Sequence, residues 1–161
     1  MRRLAAAVVA LLILAPGGAA PSRAAEDPAA SMLAAVNAVR ASNGLAALRL
    51  EPRLVRAARE HAARMVARDF FDHQDPGGPS LGERLVGVGY GFAFAAENLS
   101  AGTAAAAAVV QSWMLSEGHR RNLLEPLAVE AGIAYLAAAG EGARSRYRHY
   151  WVLVVAAPAR P

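Results

Sequence analysis

The sequence predicts an α+β chain in which helices pack around a short antiparallel sheet, giving an α/β/α sandwich. Three observations lead there. Apolar residues recur at helical spacing through the earlier part of the chain, two β-prone runs stand near its end, and Gly140-Glu141-Gly142 separates those runs.

The amino terminus is set apart from this domain. Arg2 and Arg3 precede the apolar run Leu4 to Ala15, Pro16-Gly17-Gly18 then breaks any helix, and small residues follow, the order of a secretory signal peptide. The run is short for a bilayer span, and cleavage after Ala24 leaves Ser22 and Ala24 as the small residues that a signal peptidase accepts. The alternative is an uncleaved anchor. The expected organisation is a signal peptide over 1–24 and a single domain over 25–161, secreted or periplasmic, monomeric, with no membrane span once the leader is gone.

Charge narrows the partners. The 161 residues carry a formal net charge of +4, but removing Arg2, Arg3 and Arg23 takes the 17 basic residues to 14 against 13 acidic ones, a net of about +1. A nearly neutral domain has no electrostatic support for binding nucleic acid. With no cysteine in the chain, no disulfide stabilises it and no thiolate serves as nucleophile or metal ligand, so stability rests on apolar burial.

The elements follow in order. Asp27-Pro28 is an N-cap and first-turn pair, and Met32, Leu33, Val36 and Val39 keep helical spacing until Asn43-Gly44, which predicts a helix over about Pro28 to Ser42. Pro52 opens a second helix with Leu54, Val55, Ala58, Ala62, Met65 and Val66 inward, ending near Phe70. His61 lies beside that stripe and reads as a packed core histidine. Asp72 to Pro79 is a turn-rich loop, and Ser80 with Glu83 makes a capping box for a short helix through Leu81, Leu85 and Val88. Gly87, Gly89 and Gly91 read as a turn feeding a short strand rather than a phosphate loop, since no helix starts after them. An alanine-rich third long helix is predicted from Thr103, carrying Val109, Val110, Trp113 and Met114 and stopping at Gly118 as a left-handed C-cap. Val129 to Ala138 and Tyr147 to Ala157 are the strands, the second apolar at nearly every position as a strand covered on both faces would be. Ser100, Ser112 and Ser116 lack the Gly-x-Ser-x-Gly spacing of a nucleophile elbow.

Four separated segments, ASNGLAALRLEPRL, EHAARMVARDFFDH, AENLSAG and WMLSEGHRRNLLEP, occur in that order. Together they resemble the bacterial branch of the CAP superfamily, the cysteine-rich secretory, antigen 5 and pathogenesis-related proteins, from about Met32 to Trp151. The resemblance implies an α/β/α sandwich with a central cleft lined by His and Glu. Matched motif by motif, His73, Glu97 and His119 fall on the cleft positions. Two imidazoles and a carboxylate are also a set that coordinates a divalent cation such as zinc, or does acid/base work without one.

Each residue has a plainer role open to it. His73 can cap the second helix, Glu97 can hold its loop through backbone amides, and His119 can serve as a cap partner behind Gly118. Glu117 either adds a carboxylate near the site or is an exposed charge at a helix C-terminus. The second histidine that eukaryotic relatives carry on a late strand matches Tyr150 here, with His149 one residue earlier and on the opposite strand face. The resemblance implies non-enzymatic binding of a small apolar or envelope ligand, or of a partner protein. The other reading is a metal-assisted (zinc) hydrolase acting on peptide or cell-wall substrates.

Overall fold

The computed structural model describes residues 27–138 and 145–160. The leader over 1–24 and the Gly140-Glu141-Gly142 turn lie outside the described residues. The elements are α1 (Pro28–Ser42), β1 (Arg49–Leu50), α2 (Pro52–Arg68), α3 (Leu81–Gly87), β2 (Phe92–Ala101), α4 (Ala106–Leu115), α5 (Glu117–Leu123), β3 (Glu130–Ala137) and β4 (His149–Pro158). Asp27 caps α1 by accepting from the Ala29 amide, and Ser80 and Glu83 cap α3 reciprocally, as their sequence signatures predict.

The sheet runs in the order β1-β3-β4-β2. β4 pairs antiparallel with both β2 and β3, while the two-residue β1, which the sequence reading does not anticipate, lies parallel to β3. The sheet is therefore mixed rather than wholly antiparallel. β4 is covered on both faces. Trp151, Leu153 and Val155 pack with Met32 and Val36 of α1 and with Val109 and Trp113 of α4, whereas Tyr150, Val152, Val154 and Ala156 pack with Leu54, Ala58 and Met65 of α2 and Leu85 of α3. This alternation along one strand makes the three layers of an α/β/α sandwich.

Two features fix the layers. A Cβ on Gly132 of β3 would lie 2.2 Å from the Leu54 carbonyl, so only glycine lets α2 approach the sheet this closely. On the other face Arg40 is fully buried and donates to the Ala46, Leu123, Glu125 and Ala128 carbonyls at 2.8 to 3.0 Å, tying α1 to the end of α5 and the segment after it. Among the described residues no helix is long and apolar enough to cross a membrane.

The predicted third long helix is two helices. Ser116, at φ −98° and ψ 122°, breaks it into α4 and α5. Gly118 is not a left-handed C-cap but lies within α5, and His119 sits in its first turn. Glu117 correspondingly stands at a helix N-terminus, where the dipole favours its charge, rather than at a C-terminus.

Candidate functional site

Glu97 is the hub. It lies in the middle of β2, not in a loop, opposite Val154 of β4, and its side chain points to the α2 and α3 face. That side chain is 2% exposed, and a carboxylate so placed must find compensating charge and hydrogen bonds. It finds three neighbours. His73 Nδ1 donates to Oε1 at 2.9 Å, Arg84 Nη2 stands 2.9 Å from Oε2 and 3.1 Å from Oε1, and His61 Nε2 is 3.9 Å from Oε1. Burial alone raises the Glu97 pKa, but the His73 hydrogen bond and the charge of Arg84 outweigh it and hold the carboxyl below its ordinary value.

His73 comes from the loop that follows α2. The helix ends at Asp69 in a left-handed conformation, φ 49°, and His73 lies beyond it, so its imidazole bonds Glu97 rather than capping the helix. The loop is pinned from below. Asp75 is buried and receives Arg68 Nη1 at 2.5 Å, while Arg68 Nη2 donates to the Pro76 carbonyl at 3.1 Å. From α2, His61 Nε2 donates to the Asp72 carbonyl at 3.0 Å. The His73 side chain itself remains 55% exposed.

His61 is the packed core histidine that the helical stripe predicts, at 0% exposure. Burial pushes its pKa down to about 4, against the pull of Glu97, so the ring is neutral at physiological pH. With the proton on Nε2, its Nδ1 has no partner among the described residues. What sequence reading misses is its reach across to Glu97, which comes from a strand far along the chain.

Arg84 is the other residue that sequence reading misses, although a signal exists. Leu81, Arg84, Leu85 and Val88 share the i, i+3, i+4, i+7 spacing of one helix face, so Arg84 belongs to the inward stripe of α3. Its side chain is 2% exposed, and Nη2 also donates to the His73 carbonyl at 3.3 Å.

His119 arrives from the adjoining edge of the sheet. Asn122 Nδ2 of α5 donates to Asn98 Oδ1 at 2.9 Å and to the Glu97 carbonyl at 3.3 Å, and Asn98 Nδ2 donates to the His119 carbonyl at 3.1 Å. These bonds dock α5 against β2 beside Glu97. His119 Nδ1 contacts Ser116 Oγ at 2.9 Å, and its ring is tilted over Trp113 with centroids 6.3 Å apart. Its pKa is lowered, chiefly by burial.

His73 and Glu97 therefore meet above a buried Glu97–Arg84 pair, and the docked α5 holds His119 beside the same stretch of β2. Two other candidates do not join it. Glu117 turns its carboxylate, 82% exposed, to Arg121 at 3.2 Å on the surface. Tyr150 is buried four residues along β4 from Val154, roughly 13 Å at the rise of a strand. Its hydroxyl pairs with Ser145 Oγ at 2.7 Å. His149 points to the opposite face, as expected, where its Nδ1 meets the Tyr135 hydroxyl at 2.7 Å.

The donor set does not fit a three-ligand cation centre. Among the described residues no group of three or more His, Cys, Asp and Glu side chains is arranged to hold a metal ion. The physical reason is Glu97, whose carboxylate is already matched by a buried guanidinium that would repel a second cation. A separate groove of about 500 Å3 between β1 and α2 is lined by Leu50, Pro52, Val55, Arg56, Arg59 and Glu60, and holds none of the hollow's residues.

Known proteins agree with this architecture. The protein YkwD of Bacillus subtilis is 35% identical over 100 residues, which cover 62% of this chain and 39% of that protein. The crystal structure of an extracellular protein containing an SCP domain from Bacillus anthracis superposes with a TM-score of 0.69 at 25% identity, over 81% of this chain and 40% of that one. An outer surface protein of Borrelia burgdorferi shares the fold, with a TM-score of 0.72 at 17% identity over 83% of this chain and 95% of that one. The chain thus spans about two fifths of the two Bacillus proteins it matches. Residues 33–155 match the cysteine-rich secretory protein family as a whole, and the chain belongs to that CAP family.

Proposed function

We propose that this chain is an exported, non-enzymatic CAP domain that binds an envelope component, a small apolar ligand or a partner protein at the His73/His119 hollow. The observation that carries this reading is the pairing of Glu97 with Arg84 and His73. A carboxylate held ionised by a buried guanidinium and an imidazole N–H is spent on structure, so it is a poor general base and a poor metal ligand. What the hollow offers outward is the exposed His73 ring and the half-buried His119 ring, which suits recognition more than bond cleavage.

Export is supported by the basic and apolar leader pattern of Arg2 to Ala15. The Bacillus anthracis and Borrelia neighbours are described as extracellular and outer surface proteins. A zinc-assisted hydrolase is the second reading, favoured by the residue types alone, two imidazoles and a carboxylate.

The test is a binding screen of the purified protein against vesicles of envelope lipids and against isolated cell-wall material. Saturable binding that weakens about tenfold or more in H73A/H119A is the expected result, a difference of at least 1.4 kcal/mol. Absence of saturable binding to every class would remove the reading.

A further inference from the structure

We propose that Arg84 is a positioning residue that selects the tautomer of His73 and so decides what the hollow recognises. The assignment rests on the proposed use of the hollow as a binding face, but its test does not require the ligand. Arg84 Nη2 is one nitrogen with three acceptors around it: Glu97 Oε2 at 2.9 Å, Glu97 Oε1 at 3.1 Å and the His73 carbonyl at 3.3 Å. It therefore grips both ends of the same contact, the carboxylate that receives His73 Nδ1–H and the backbone from which that imidazole hangs.

The consequence is a fixed proton position. An ionised carboxylate is acceptor only, so the Glu97 contact at 2.9 Å places a proton on His73 Nδ1 and, in the neutral ring, leaves Nε2 as a bare lone pair on a side chain that is 55% exposed. The second imidazole of the hollow, His119, is kept toward its neutral form by burial. A pocket presenting imidazole lone pairs recognises hydrogen-bond donors. The ligand class is thus a hydroxyl- or amide-bearing group rather than a carboxylate or a phosphate. Without Arg84, the Glu97 side chain loses the partner that fixes its orientation, and His73 is free to carry its proton on either nitrogen.

Nitrogen chemical shifts of the His73 ring, read in the labelled full chain at neutral pH, report the tautomer directly. The parent is expected to show one tautomer with Nδ1 protonated, R84M a mixture of the two, and R84K a return toward the parent, because an ammonium retains the charge and the donors. R84M leaves Glu97 as an unpaired buried anion, so a second pair of variants carries the test if R84M does not fold. In E97Q the amide oxygen faces Arg84 Nη2 and still accepts from His73, whereas in R84M/E97Q nothing orients the amide. The lock is expected to persist in E97Q and to be lost in R84M/E97Q. A parent with the proton on Nε2, or a tautomer unchanged between R84M and parent or between E97Q and R84M/E97Q, would overturn the proposal. Either result leaves the binding screen, and hence the functional reading, to be judged on its own.

Discussion

Asn122 Nδ2 donates to Asn98 Oδ1 at 2.9 Å, and this single contact ties the helix that carries His119 to the strand that carries Glu97. The same nitrogen reaches the Glu97 carbonyl at 3.3 Å, so Asn122 also covers a main-chain acceptor on the outer edge of β2. N122L removes both bonds and leaves Asn98 Oδ1 unmatched. The expected loss is about 1–3 kcal/mol in denaturant unfolding, with faster amide exchange confined mainly to α5. Unchanged exchange in α5 would contradict this role.

Acid should weaken the fold earlier than carboxylates alone would make it. The folded-state pKa of His61 is depressed to about 4 from 6.5, so the unfolded chain takes up its proton first as the pH falls. The stabilisation is fully present above pH 6.5 and is lost progressively between 6.5 and about 4, a change on the order of 3 kcal/mol. His119, also lowered, acts in the same direction. Glu97, lowered as well, adds its own loss only as the pH falls below the ordinary carboxylate range. Unfolding free energies measured across pH 4 to 7.5 are expected to flatten in H61M, which is less stable than the parent at pH 7 because the Asp72 carbonyl loses its donor. A parent profile flat between pH 6.5 and 5 would refute the assignment.

Close approach of α2 to the sheet is the source of another expectation. G132A places a methyl group 2.2 Å from the Leu54 carbonyl, a distance that only movement of helix backbone relieves. Because α2 carries His61, the variant is expected to lose at least several kcal/mol of stability, or to fail to fold. Wild-type thermal stability in G132A would contradict the packing described.

Arg40 makes the matching prediction for the other layer. R40M keeps the volume but strands four carbonyl acceptors. A loss of about 3 kcal/mol or more is expected in urea unfolding, at 1–3 kcal/mol for each unmatched buried group that water does not reach. A loss within 0.5 kcal/mol, the range of an ordinary surface substitution, would show that the arginine is no staple.

Zinc separates the two functional readings. The pairing of Glu97 with Arg84 predicts that the purified protein takes up no stoichiometric zinc, and that elemental analysis gives the same content for H73A/H119A and the parent. One equivalent present in the parent and missing from the variant would move the protein to the metal-assisted reading.

Local signals served the helices well. Asp27-Pro28 and Ser80 with Glu83 are short-range capping motifs, and α1 and α3 begin where they predict. The apolar run of β4 announced its burial on both faces, because a period-2 strand in the middle layer has no solvent side. The break between α4 and α5 was not legible, since the residues around Ser116 carry no Pro and the nearest Gly lies inside the next helix. β1 is two residues long and exists only through its pairing with β3, which no local pattern reports. Within the site, motif resemblance points to His73, Glu97 and His119. Spacing along α3 turns Arg84 inward, but the contacts of Arg84 and His61 with Glu97 join distant elements, which spacing along one helix does not reveal. The register of β4 carries Tyr150 four positions away from Glu97's partner Val154.

The hollow stands or falls on a charge-balanced pair beneath two histidines, and a double-mutant cycle over Arg84 and Glu97 measures that pair most directly. R84M and E97L should each cost about 3–5 kcal/mol, as expected when one partner of a buried ion pair is left alone, while R84M/E97L should recover most of that loss. Strictly additive losses in the double variant would mean that the two side chains do not compensate each other, and the account of the site would be wrong.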